Sequence, residues 1–366
     1  MLRRPLSGPG QEALADLLAT LAAHFRAAGA EPLDVPHLFA GDTLLDLYGE
    51  DLRARAFLFP DAERGNELCL RPDFTVPVAL AHGAAGWDRQ ETYCYSGPVF
   101  RRQPQGQGRP TEYLQAGIES FGDDDTAAAD ARIYALLRRG LETAGVSVTE
   151  TQMGDLSIPF ALLDALDMPD RRRAALRRHF WRPNRFQALL DRACSPPEPS
   201  PTRAALLAGE AEFGDALGLR TVADIQARIE QLAEETAAPP MPTADARLID
   251  AVLQIDCAPT DAPRRLRDLS SEAGLAAVTD RFEARLDALA AEGVAPGEIR
   301  FSTSFGRNLE YYDGFVFEIR AAGTGEHPPL AGGGRYDALT AKLGAASQIP
   351  AIGGIIRPEP VLEVTR

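Results

Sequence analysis

Phe305 to Ile319 reads FGRNLEYYDGFVFEI. An arginine, Arg307, precedes two adjacent tyrosines, Tyr311 and Tyr312. Asp313-Gly314 follows, and then Phe315, Val316, Phe317 and Glu318 in alternation. Asp-Gly beside alternating apolar residues predicts a β-hairpin, because glycine adopts the positive φ of a tight primed turn. Phe315, Phe317 and Ile319 read as packing. A turn does not account for an arginine and two tyrosines at its approach, so these three are candidates for a binding site.

Outward from this stretch, a second alternating run supplies possible partners. Thr92 to Phe100 is rich in strand formers, Gln103 to Pro110 is a polar Gly/Pro loop, and Tyr113 to Phe121 (YLQAGIESF) returns as a strand. Residues 92–121 therefore read as a long hairpin. Along its second arm Gln115, Gly117 and Glu119 share one face, while Leu114, Ala116 and Ile118 share the other and look like core. An amide and a carboxylate separated by a glycine describe the floor of a small polar pocket. Such a floor suits a ligand that donates hydrogen bonds or carries positive charge. A solvated sheet face is the alternative. Arg71, Asp73 and Thr75 also share a side by spacing, although Pro72 distorts the pleat. Arg101 ends a strand, where a guanidinium is placed to grip a carboxylate or phosphate.

The remaining segments complete an α+β pattern. Leu14, Leu17, Leu18, Leu21 and Phe25 put one apolar face on a helix over 11–28, which Gly29 stops before an extended stretch at 31–36. Glu67 to Leu70 predicts a strand. Asp123 to Asp125 can cap a helix through Ile133, Leu136, Leu137 and Leu141. From residue 153 to 295 the texture is helical, broken by proline-rich connectors at 195–201 and 237–242. The expected organisation is a core in two parts, 1–152 and 296–366, around a helical insertion at 153–295. Gly332 to Gly334 lacks the Gly-Lys-Ser/Thr ending of a phosphate loop and is not assigned as one.

Composition narrows the function. The chain has 366 residues, 45% hydrophobic and 25% charged, which is ordinary for a globular protein. There is no signal-peptide pattern and no run of about 20 apolar residues, so neither secretion nor a membrane span is expected. Four scattered cysteines without CxxC spacing argue against zinc or a disulfide framework and for a reducing cytoplasm. The five histidines show no ligand spacing, so no metal site is expected, and no nucleophile–base arrangement stands out. A net charge of −15 disfavours a broad nucleic-acid surface. Against it stands a basic cluster, Arg171, Arg172, Arg173, Arg177, Arg178, His179, Arg182 and Arg185, which reads as a solvated helix face or a docking surface.

Taken together and in order, these segments resemble the catalytic core of histidyl-tRNA synthetase, a class II synthetase. LRPDFT (70–75) is similar to LRPEGT, and GPVFRRQ (97–103) with EYLQAGIESFG (112–122) to the family's motif 2 and the QFHQxGxExFG strand. RNLEYYDGFVFE (307–318) is similar to RGLDYYxGxVFE, and AGGGRYDAL (331–339) to AGGRYDGL. The resemblance implies a class II aminoacyl-tRNA synthetase-like core, an antiparallel sheet flanked by helices, with dimerisation through 11–36. It also implies a histidine pocket. Asp73, Thr75 and Gln115 would hold the α-amino group, and Glu119 and Tyr312, with Tyr311 nearby, would read the imidazole. Arg101 and Arg307 match arginines that hold the carboxylate and the adenylate phosphate.

The departures point away from catalysis. Gln103 stands where motif 2 carries an acid, and Pro360 where motif 3 carries its ATP-clamping arginine. Proline supplies neither charge nor donor. Arg366 comes just past motif 3, so no anticodon-binding domain is expected, and tRNA is not an expected partner. This pattern is similar to a family of synthetase paralogues, the regulatory subunits of ATP phosphoribosyltransferase. That resemblance implies a non-catalytic, cofactor-free protein that binds L-histidine. It would be a homodimer within a hetero-oligomer with the short-form catalytic subunit, regulating the first step of histidine biosynthesis. An active amino-acid-adenylating synthetase is the second reading, and a scaffold docking through 171–185 the third.

Overall fold

The computed structural model describes residues 3, 5–41, 54–63, 65–103, 110–147, 149–196, 198–210, 221–269, 273–306, 311–322 and 328–365. The strands are β1 (Glu31–Pro32), β2 (Leu38–Ala40), β3 (Leu58–Pro60), β4 (Glu67–Leu70), β5 (Glu91–Phe100), β6 (Glu112–Phe121), β7 (Thr149–Asp155), β8 (Asp256–Cys257), β9 (Ile299–Ser302), β10 (Phe315–Ala321), β11 (Ala331–Arg335) and β12 (Ala351–Ile356). The helices of the core are α1 (Pro9–Ala27), α2 (Thr75–Ala85) and α3 (Thr126–Thr143). The helical segment contributes α4 (Ser157–Ala165), α5 (Asp170–His179), α6 (Pro183–Cys194), α7 (Pro201–Leu207), α8 (Val222–Ala237), α9 (Thr243–Leu253), α10 (Ala262–Leu269) and α11 (Ala273–Ala291). Two short helices, α12 (Asp337–Lys342) and α13 (Pro358–Val364), follow.

One large sheet runs in the order β1-β5-β6-β12-β11-β10-β7-β9-β8, with a small sheet β2-β4-β3 beside it. Pairing is antiparallel except in two pairs, β1 with β5 and β7 with β9, which are parallel. The expected α+β fold is thus present, and its sheet is mixed rather than purely antiparallel. The 92–121 hairpin is also present: β5 and β6 pair from Glu91↔Phe121 to Phe100↔Glu112.

The helices cover the sheet with the faces their patterns predict. Leu14, Leu17, Leu21 and Phe25 of α1 are buried. Each such side chain contributes about 1.5–3 kcal/mol relative to exposure. Helix α3 starts where the acidic triplet predicts, with Asp125 accepting the Ala128 N–H, and it buries Ile133, Leu137 and Leu141.

The helical texture expected from Met153 begins at Ser157. Met153 itself is a strand residue, paired with Phe317 on one side and Phe301 on the other. A parallel pair such as β7–β9 needs a crossover connection, and here α4 to α11 are that crossover. Its last helix, α11, returns to pack on α3 and α4.

Asp313-Gly314 is not a hairpin tip. The strand that follows it, β10, pairs with β7 and β11. Gly314 has no positive φ. Its lack of a side chain leaves room for Arg335: a Cβ there would press on three side-chain atoms of that residue at 3.2–3.3 Å. Asp313 caps a remote helix, accepting the N–H groups of Asp337 and Ala338 at the start of α12. Phe315, Phe317 and Ile319 are fully buried, as expected.

Charged side chains tie these layers together inside the protein. Asp130 of α3 is fully buried and accepts from Arg285 of α11 at 2.7 Å and Arg335 of β11 at 2.6 Å. Arg285 also reaches Asp155 at the end of β7, at 2.6 Å. Deleting one member of a buried ion network strands the others in low dielectric. Asp130→Asn is expected to cost about 3–5 kcal/mol in urea unfolding at neutral pH, and a loss below about 1 kcal/mol would show that the node is not structural.

Candidate functional site

The face of β6 that carries Gln115 and Glu119 is buried, not solvated. Glu119 accepts three hydroxyl hydrogen bonds. Thr75 Oγ1 and Tyr95 Oη donate to Oε1 at 2.9 and 2.8 Å, and Tyr336 Oη donates to Oε2 at 2.5 Å. Room for the carboxylate comes from β12, where a Cβ on Gly353 would fall 1.5 Å from Glu119 Oε2. Gly117 does not open space for a ligand, as the alternation suggested. A Cβ there would lie 2.6 Å from the Tyr95 ring, so the glycine seats the tyrosine that holds Glu119. Phe74 stacks on Tyr95 with ring centres 4.2 Å apart and fixes it from the other side.

The second side of the site comes from the segment after β4. The strand ends at Leu70, and Thr75 begins α2. Asp73 and Thr75 are both buried and face Tyr311, whose hydroxyl donates to Asp73 Oδ2 at 3.2 Å and to Thr75 Oγ1 at 3.4 Å. Arg71 turns away from them. It is buried against the Val35 and Pro98 carbonyls at 2.6 and 2.8 Å and lies over the Phe74 ring. Tyr312 is buried, its ring 4.8 Å from that of Tyr311. Arg101 stands at the rim, with Nη2 3.7 Å from Asp73 Oδ2. Arg307 lies outside the described residues.

Six of the eight sequence candidates, Asp73, Thr75, Gln115, Glu119, Tyr311 and Tyr312, thus line one buried region, with Arg101 at its edge. The tyrosine hydroxyls on Glu119 are those of Tyr95 and Tyr336, and Tyr311 bonds to Asp73 and Thr75. Tyr95 was legible in principle, because the β5–β6 register sets it opposite Gly117. Tyr336 was not, because it directly follows β11, and the order of strands cannot be read from spacing.

The region is rich in acceptors. Gln115 Oε1 is buried and has no hydrogen-bond partner among the described residues. Burial lifts the Glu119 carboxyl to about 7, against the downward pull of its three hydroxyl donors. Burial and the Glu119 charge push the Tyr95 and Tyr336 hydroxyls well above the usual range, so both remain donors. A buried amide oxygen without a partner and two buried carboxylates in one region are groups that an N–H donor or a positive charge would satisfy.

A family model for histidyl-tRNA synthetase matches residues 6–238 and 220–361. The ATP phosphoribosyltransferase regulatory subunit of Brucella anthropi is 37% identical over 345 residues, 88% of this chain and 90% of the relative. That of Mesorhizobium japonicum is 38% identical over 366 residues, 92% and 94% of the two chains. The chain belongs to the ATP phosphoribosyltransferase regulatory subunit family. Solved structures carry the same fold. A Bacillus halodurans protein described as an ATP phosphoribosyltransferase regulatory subunit/histidyl-tRNA synthetase superposes with a TM-score of 0.72 at 22% identity, covering 100% of this chain and 82% of its own. A histidine–tRNA ligase subunit of Alicyclobacillus acidocaldarius gives 0.62 at 24% identity, covering 100% and 98%.

The relatives are named as regulatory subunits, and the residues at the positions where the resemblance marked departures from the synthetase motifs have structural contacts here. Gln103 accepts from Arg55 and donates to the Pro110 carbonyl. Pro360 lies in the first turn of α13, and Arg357 donates to the Pro329 carbonyl. The basic run on α5 is largely engaged. Arg172 pairs with Glu235, Arg173 with Asp164 and Asp170, and Arg177 with Asp164.

A carboxyl that is protonated more readily in the folded state than in the unfolded one stabilises the fold at low pH. That stability is lost as pH rises from the unfolded value near 4.5 through the folded value near 7. Asp313, lifted to about 7 by burial and by Asp337, acts in the same direction. Unfolding stability is therefore expected to fall between pH 5 and 8, on the order of 1–3 kcal/mol for Glu119. Urea melts of Glu119→Gln across that range should show a shallower slope, and an unchanged slope would remove Glu119 as its source.

Proposed function

We propose that the site binds free L-histidine and that the protein is the histidine-responsive regulatory partner of a short-form catalytic ATP phosphoribosyltransferase. The observation that carries this reading is the orphan Gln115 Oε1 in a buried region that also holds Asp73, Glu119 and the side chains of Tyr95, Tyr311, Tyr312 and Tyr336. An α-ammonium satisfies Gln115, Asp73 and Thr75. An imidazole N–H satisfies the carboxylate of Glu119, among the rings of Tyr95, Tyr311, Tyr312 and Tyr336. The regulatory names of the relatives and the loss of the ATP-clamping arginine support a sensing role over adenylation.

Regulation requires that histidine favour one state of the assembly, by typically about 1–3 kcal/mol of coupling. Tyr311 is the physical link available for this. It bonds directly to the ammonium side of the pocket, and it precedes Asp313, which holds the start of α12. Filling the pocket thus bears on the position of Asp313 and of the strand β10 beyond it. The homodimer formed through residues 11–36 and a cytoplasmic location belong to the same reading. Among the described residues, no helix is long and apolar enough to cross a membrane.

Calorimetric titration of the purified protein with L-histidine is expected to show saturable binding. Glu119→Ala should weaken it by roughly 10- to 150-fold, the cost of about 1.5–3 kcal/mol for a charged hydrogen bond. Absence of binding by the wild type overturns the reading. Mixed with the short catalytic subunit, the protein should raise phosphoribosyltransferase activity, and histidine should reverse the increase. Robust histidine-dependent ATP–pyrophosphate exchange by the protein alone would instead establish the adenylating alternative.

A further inference from the structure

Trp181 stands in the corner between α5 and α6, half-buried. Its ring meets that of Phe180 nearly at a right angle, with centres 5.1 Å apart. Phe180 in turn meets Phe160 of α4 and Phe186 of α6 at 5.7 and 6.2 Å. The indole is thus anchored in the helical segment. Its six-membered ring lies over Gly306. A Cβ there would fall 1.8 Å from Cζ3 and 2.7 Å from Cε3 and Cη2, so only a residue without a side chain fits beneath it. In sequence Gly306 stands five residues before Tyr311. The chain reaches Gly306 along a tightly held path. Thr303 is fully buried, and it donates its N–H to the Ile255 carbonyl at 3.1 Å and its hydroxyl to the Val252 carbonyl, at and just past the end of α9. The Phe305 N–H donates to the Ser302 carbonyl at 3.1 Å. The Phe305 carbonyl passes so close to β7 that a Cβ on Gly154 would lie 2.4 Å from it. Residues 303–306 are therefore held between the sheet on one side and the helical segment on the other.

We infer that Trp181 is a positioning residue for the amino-acid site: through Gly306 it sets the approach to Tyr311, and so ties the affinity of the pocket to the helical segment. This rests on the amino-acid reading of the pocket given above. Trp181 touches no ligand in that reading and acts through the backbone. Tyr311 donates to Asp73 and Thr75 at 3.2 and 3.4 Å, at the long end of hydrogen bonding, where a small displacement of the chain makes or breaks the contact. A rigid indole on a bare Cα has little give, because close-packed groups transmit strain rather than absorb it. Coupling between two sites is reciprocal. Because the helical segment sets the affinity of the pocket, a filled pocket acts back on α5 and α6 with the same free energy. The helical segment is then a surface at which the amino acid is felt, alongside the route through Asp313 and α12.

Calorimetric titrations of L-histidine into the wild type, Trp181→Ala, Trp181→Phe and Gly306→Ala test this. Trp181→Ala and Gly306→Ala are each expected to weaken L-histidine by roughly 3- to 30-fold, the range for residues that modulate a site without touching its ligand, in proteins whose circular dichroism is unchanged. Trp181→Phe keeps a flat ring over Gly306 and should bind closer to the wild type than to Trp181→Ala. Trp87 is the only other tryptophan. The part of the emission change on adding L-histidine that Trp181→Phe lacks therefore belongs to Trp181, and it should be present and saturate with the calorimetric Kd. A Trp181→Ala protein that binds L-histidine as the wild type does overturns the inference. So does an emission change identical in the wild type and Trp181→Phe, and both results leave the histidine reading intact. Where Trp181→Ala does not fold, Gly306→Ala decides in its place by the same criterion. Failure of the wild type to bind L-histidine overturns the histidine reading itself, and this inference with it.

Discussion

Asp130 is the charge on which both the fold and the pocket depend. It is fully buried on α3, and two guanidinium groups from opposite directions close on it. Arg285 brings in the helical segment, and Arg335 brings in the central sheet. The residues after Arg335 then have little freedom. Tyr336 is delivered to Glu119, and Asp337 accepts the Ala351 N–H at the start of β12. The Arg-Tyr-Asp triplet is thus three anchors in three consecutive residues: one to a helix, one to the pocket, one to the neighbouring strand. A buried ionic node costs desolvation that only good geometry offsets. Here that geometry also sets the position of a pocket hydroxyl.

The pocket follows a different economy from the node. The node balances carboxylates with guanidinium groups. Among the described residues Glu119 is held by three neutral hydroxyls and no cation, and burial dominates its proton affinity. Its site is carved out by glycines on neighbouring strands, Gly117 under Tyr95 and Gly353 against the carboxylate itself. The glycine run 332–334 belongs to the same construction. A Cβ on Gly333 would fall 2.2 Å from the Gly353 carbonyl, so the run is close sheet packing and not a phosphate loop.

Much of this was legible in the sequence where the signal was local. The α1 stripe, the α3 cap, the β5–β6 hairpin and the shared face of Gln115 and Glu119 all follow from residue periodicity, which depends only on near neighbours. Asp313-Gly314 misled because the same dipeptide serves a turn and a long-range cap, and only the position of α12 separates the two. Met153 misled because a short strand precedes a long helical stretch whose composition swamps it. Tyr336 and the Asp130 node were beyond reach, since they join residues more than 200 positions apart. The resemblance to class II synthetases supplied the assembly that periodicity could not.

The parallel pairing of β7 and β9 leaves the two ends of the helical segment side by side on the sheet. Arg285 and Asp155 close that excursion 130 positions apart in sequence. The entropy of closing such a loop grows only with the logarithm of its length, about 0.6 kcal/mol for each doubling. The stretch before α11 can therefore lengthen or shorten over evolutionary time at small cost to the sheet. Helix α11 is exempt from that latitude, because it carries Arg285. Variation in this family's size should accumulate between α6 and α9, where new surface can be added without disturbing either the ionic node or the pocket.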